Sequence, residues 1–171
     1  ASSLIESSVN AMSGLYATSS IDVGYYITSI VVNTAQGDPY GPPTQDSQGF
    51  LNAFQSHITN SNIPDDHPYD AALMFSGRSL TFGGMGVVFG QAQIAGDAMC
   101  SLDSAGIPNL AYAFMTYRGV NLNTPNYNFM KVLGAHELGH LWGMQHHLAS
   151  GCSNSGASRS IMCEGEPDGG S

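Results

Sequence analysis

The stretch VLGAHELGHLWGMQH, residues 132–146, constrains this chain more than any other. Positions four apart share one face of a helix, so His136 and His140 can aim two imidazoles at one metal ion, with Glu137 beside them. Gly143 can adopt the left-handed conformation that ends a helix, which lets the chain double back and bring His146 up as a third nitrogen. Three histidine nitrogens suit tetrahedral zinc and leave one position open for water. By chance, all the fixed positions of H-E-x-x-H-x-x-G-x-x-H coincide about once in a million starting points at ordinary residue usage. Two readings compete with a catalytic one. A stray core histidine does not account for so specific a spacing, and a zinc-stabilised protein-binding module without turnover has no need of Glu137.

At 171 residues the chain is long enough for one domain with a real core. The expected division is an upper sheet-and-helix part, 1–143, and a small lower part, 144–171, that follows the metal-binding helix. Four basic against thirteen acidic residues give a formal net charge of −9, which excludes nucleic acid and anionic membrane as natural partners. No run approaches the roughly 18 apolar residues of a membrane span. Only 10% of residues are charged, against about 25% in an average protein. Ser, Asn, Thr and Gly supply the polar surface instead, in keeping with a secreted, extracellular monomer. A signal peptide, pro-segment or further domain would lie outside these residues. Cys100, Cys152 and Cys163 allow one disulfide with one thiol left over. Cys152–Cys163 is the favoured pair, because it would pin a segment with little core of its own, and Cys100–Cys163 is second.

Along the chain, Leu4, Ile5, Val9, Met12, Leu15 and Tyr16 recur at helical spacing and predict an amphipathic helix ending near Thr18. The β-branched and aromatic run Tyr25 to Val32 predicts a buried strand. Phe50, Leu51, Phe54 and Ile58 predict a second helix, and the loops around it are rich in Pro, Gly and Asp. Ala71–Phe75 reads as a central strand and Ala111–Thr116 as a further strand. Val87–Ile94 is strand-like but broken by Gly90, as expected of an edge strand or of a place where another backbone comes close. Thr124-Pro125 then starts a buried helix running to about Trp142. Helices alternating with strands predict an α/β fold: a twisted mixed sheet with an antiparallel edge strand, helices packed on it, and a small irregular C-terminal lobe after the zinc-binding helix.

The zinc motif together with Ser160-Ile161-Met162-Cys163 resembles the metzincin clan of zinc endopeptidases. Within the clan, softer matches resemble the reprolysin or adamalysin-like family: Leu73 to Arg78, then Gly90-Gln91-Ala92, then Met99-Cys100, in the right order and spacing. The resemblance covers about Ile58 to Cys163. It implies a five-stranded upper sheet whose edge strand holds an extended peptide along Gly90, Gln91 and Ala92, and a Met-turn in which Met162 forms a hydrophobic base under the histidines. Asp normally follows the third ligand in that family, but His147 stands here. Glu164 stands where some metzincins carry a tyrosine ligand two residues after the methionine.

The chemistry expected is peptide-bond hydrolysis in proteins or peptides. Zinc on His136, His140 and His146 brings the pKa of a water to about 7, and Glu137 serves as general base and then as proton donor to the leaving amine. Tyr112 and Tyr117 are candidate oxyanion stabilisers, with packing as the alternative. His57 and His67 read as surface residues. Asp65, Asp66 and Asp70 are the weak candidates for a calcium ion, without regular ligand spacing.

Overall fold

The segment Ala-Tyr-Ala-Phe-Met-Thr, residues 111–116, alternates small and large side chains, and in the computed structural model it is the central strand with helices on both sides of it. Its odd-numbered residues Ala111, Ala113 and Met115 join one apolar cluster, and Tyr112 and Phe114 join the other. All six are buried, as a strand covered on two faces requires. The structure describes residues 2–18, 22–32, 39–40, 46–60, 69–93, 99, 111–116, 127–147 and 161–163.

In chain order the elements are α1 (Ser2–Thr18), α2 (Ser47–Asn60), β1 (Ala72–Ser76), β2 (Leu80–Phe82), β3 (Met85–Val88), β4 (Gly90–Ala92), β5 (Tyr112–Thr116) and α3 (Tyr127–Leu141). A twisted mixed sheet of order β1-β5-β4 carries β1 parallel and β4 antiparallel to β5, which leaves β4 at an edge. Helices α1 and α3 pack together on one face through Met12, Tyr16, Leu133, Ala135, Leu138 and Leu141. On the other face α2 contributes Phe50, Leu51 and Phe54. Asp46 caps α2, its Oδ2 accepting from Gly49 N at 2.8 Å. The chain is therefore a mixed α/β fold, followed after α3 by a small lobe of which 144–147 and 161–163 are described. Among the described residues no helix is long and apolar enough to cross a membrane.

The close contact of α1 with α3 depends on Gly134. A Cβ there would overlap the Met12 methyl group and lie 2.6 Å from Met12 Sδ and 2.9 Å from Met115 Sδ, both on fully buried side chains. Gly134→Ala is expected to lower stability by about 1–3 kcal/mol through overpacking. The measure is a lower denaturant midpoint at unchanged slope.

Two expectations need correction, and a third reaches beyond the described residues. Residues 22–32 form no strand: the Tyr25 amide donates to Ser13 Oγ at 2.8 Å, while Tyr26 is 90% exposed and Val31 and Val32 are over half exposed. The segment is fastened to α1 by a side chain rather than to a neighbouring strand. In place of five strands in one sheet, the described residues form three, with β2 and β3 making a separate antiparallel hairpin. That hairpin was readable, since Gly83 (φ 58°) and Gly84 (φ 77°) make the two-residue left-handed turn that Gly-Gly favours between apolar runs. The favoured Cys152–Cys163 bridge has one member outside the described residues. No disulfide joins two described residues, and Cys100 and Cys152 both lie outside them. Cys163 itself is disulfide-bonded, to a partner outside the described set.

Candidate metal centre

Helix α3 ends in a motif that bends the chain back on itself. Gly143, at φ 78°, donates its amide to the His140 carbonyl at 2.9 Å, and Met144 N reaches the Gly139 carbonyl at 3.0 Å. This 5→2 and 6→1 pair is the Schellman arrangement, which a glycine at the left-handed position allows. The reversal carries His146 back beside the helix.

Three imidazole Nε2 atoms then converge, at 3.0 Å between His136 and His146, 2.9 Å between His140 and His146 and 3.2 Å between His136 and His140. These three are the group of side chains that could hold a metal ion among the described residues. The outward nitrogens of two of them are occupied: His136 Nδ1 lies 2.6 Å from the Ile161 carbonyl and His140 Nδ1 2.8 Å from the Met144 carbonyl. A carbonyl oxygen can only accept, so both rings carry their proton on Nδ1 and turn an Nε2 lone pair inward. Lone pairs meeting at such distances call for a cation. Zinc–nitrogen bonds of about 2.0–2.1 Å in a tetrahedral site put neighbouring nitrogens roughly 3.3 Å apart, close to the spacing here. Burial lowers the His136 pKa to about 4, against the raising effect of the Ile161 carbonyl, and burial likewise lowers that of His140. Neutral imidazole is the form that binds metal.

Glu137 follows His136 on the helix and is only 4% exposed. Desolvation raises its carboxyl from 4.5 to about 8. Its side chain lies flat against the backbone of edge strand β4: a Cβ on Gly90 would overlap Glu137 Oε1 and sit 2.8–2.9 Å from Cγ and Cδ. Gly90 thus serves as a place of close approach, which only a residue without a side chain permits. Ala92 faces the same way and is buried in the α1/α3 cluster. Gln91 points to the opposite face, where its Nε2 donates to Gln48 Oε1 of α2 at 2.7 Å.

Met162 is buried, and its Sδ is 2.6 Å from where a Gly139 Cβ would stand, so it packs directly on the helix between the two ligand-bearing turns. His147 takes no part in the nitrogen cluster. Its amide donates to the Met162 carbonyl at 2.8 Å, and it pairs with Cys163 in a parallel bridge. Tyr112 is turned to the α2 face, away from α3, with its hydroxyl 3.4 Å from that of Tyr69; that removes it as an oxyanion donor. His57 stacks edge-on against Tyr40 at 5.4 Å. Tyr117, His67, Asp65 and Asp66 lie outside the described residues, and with them the calcium expectation.

Residues 1–170 match a reprolysin model described as metallo-peptidase family M12. The chain belongs to that family. A search of curated proteins gave no match. For an M12 metallopeptidase, two groups at this centre escaped sequence reasoning: the main-chain carbonyls of Met144 and Ile161. Residue types carry no signal for such a role, since any amino acid has the same carbonyl. The Gln48–Gln91 pair was also missed, with its members 43 positions apart.

Proposed function

We propose that this M12 chain is a zinc-dependent endopeptidase that hydrolyses peptide bonds in proteins, with Glu137 as general base. The observation that carries the reading is the convergence of the Nε2 atoms of His136, His140 and His146, with Glu137 next to His136 on the same helix and its carboxyl lying against edge strand β4. The Nε2 atoms of His136, His140 and His146 would hold a zinc ion, which would supply an activated water at neutral pH and polarise a substrate carbonyl.

The remaining work falls to the chain. At Oε1, Glu137 takes a proton from the attacking water and returns it to the leaving amine as the C–N bond breaks. A dry carboxyl with a raised pKa holds its proton too tightly for this task, and a cation beside it brings it back into the working range. Edge strand β4 offers main-chain groups on the side away from β5, along which an extended peptide adds as a further strand. Since Gly90 touches Glu137, a peptide so placed has one of its bonds near the base. Met162 supports the helix turn between the ligands as the base of a Met-turn.

The test combines metal analysis with cleavage of a denatured protein. Stoichiometric zinc after dialysis and cleavage that a chelator abolishes and zinc restores are expected. Cleavage that survives chelation overturns the proposal, and zinc binding without any cleavage leaves a zinc-stabilised binding module.

A further inference from the structure

We infer that Gln91 and Gln48 form a clamp that sets the height of the β4 strand over Glu137, which makes Gln91 a positioning residue rather than a group that touches substrate. The inference rests on the peptidase reading only in its kinetic part.

Strand β4 is short and, among the described residues, has one neighbour in the sheet, β5. Against α3 it has little slack, because a Cβ on Gly90 would overlap Glu137 Oε1 and sit 2.8–2.9 Å from Cγ and Cδ. A small rise of the strand would free the Glu137 side chain to turn. A small fall would drive the backbone into it. What restrains the strand from the opposite face is the next side chain, Gln91, whose Nε2 donates to Gln48 Oε1 at 2.7 Å. Gln48 is itself steadied, with its Nε2 donating to Asn52 Oδ1 at 3.0 Å one turn further along α2. The helix so anchored packs on the sheet through Phe50, Leu51 and Phe54, giving the clamp a firm base.

A residue chosen for packing alone would not look like this. Gln91 Oε1 is buried without a hydrogen-bond partner among the described residues, a cost that leucine in the same space would avoid. The amide is retained where a directional bond fixes both the height of the strand and its position along α2. Catalytic geometry is sensitive to such placement, for displacement by about 1 Å can cost on the order of 100-fold in rate.

The experiment compares the wild type with Gln91→Leu, Gln48→Leu and the double variant Gln48→Glu/Gln91→Lys, which restores the link as a charged pair. Hydrogen exchange at the amides of residues 90–92 is measured in the metal-free protein, and kcat and KM in the zinc-loaded protein. Each leucine variant is expected to speed exchange about tenfold and to lower kcat roughly 10- to 100-fold at little-changed KM, with zinc content retained. The double variant returns both towards wild type. Wild-type exchange in the leucine variants overturns the clamp, as does a double variant no better than either single one. Altered exchange in a protein that cleaves no peptide sustains the clamp and removes the peptidase reading instead.

Discussion

Glu137→Gln is expected to lower kcat for peptide cleavage by about 10²–10⁴-fold, the usual contribution of a positioned general base, while zinc stays bound in stoichiometric amount. The amide has the shape of the carboxyl, so the contact with Gly90 survives and the three imidazoles keep their places. What disappears is the ability to accept a proton at Oε1. At 4% exposure the site leaves little room for solvent to take over. The loss belongs in kcat more than in KM, because binding along β4 uses main-chain groups that the substitution does not touch. Steady-state kinetics beside metal analysis decides the matter, and wild-type turnover in the variant would remove Glu137 as the base.

The metal-free protein should lose about 1 kcal/mol of stability between pH 6.5 and 8, and Glu137→Gln should abolish that loss. Folding lifts the Glu137 pKa from 4.5 to about 8. Between those values the folded state binds more protons than the unfolded one, so stability falls as pH rises. His136 has the opposite sign: its pKa drops on folding from 6.5 to about 4, and its contribution grows with pH across that lower window. The two partly cancel below pH 6.5, and the decline emerges above it. Urea unfolding in the presence of chelator at the two pH values provides the measurement. Zinc should flatten the decline, because a cation beside the carboxyl favours its charged form in the folded state. A wild-type protein as stable at pH 8 as at 6.5 without metal would mean that Glu137 is not held in a dry, protonated state.

How much of this molecule was legible beforehand depended on whether a residue's role follows from its type and spacing. His136 and His140 are four apart, and an α-helix converts that spacing into proximity. His146 followed from Gly143, because the turn a glycine allows has a known direction. Ala111–Thr116 was likewise readable as a strand, but not as the central one with both faces covered. Residues 22–32 misled for the same reason in reverse, since β-branched and aromatic content marks an extended chain without indicating whether a partner strand lies alongside. The Tyr25 amide goes instead to Ser13 of α1, and its hydroxyl accepts from Trp142 Nε1 at 3.0 Å. Gln91 was placed correctly on the edge strand, yet its side chain belongs to α2, because the strand's period of two sends it away from Gly90 and Ala92.

The imidazoles of His136 and His140 are both oriented by peptide carbonyls, those of Ile161 and Met144. Such partners lie beyond the reach of point mutation: replacing either side chain leaves the oxygen in the molecule. Drift at positions 144 and 161 can therefore proceed without erasing the proton placement that keeps the Nε2 lone pairs facing inward. The vulnerability moves to the path of the backbone. Inserting or deleting a single residue between Gly143 and His146, or next to Ile161, would turn those oxygens elsewhere and unmake the centre while all three histidines remained in the sequence.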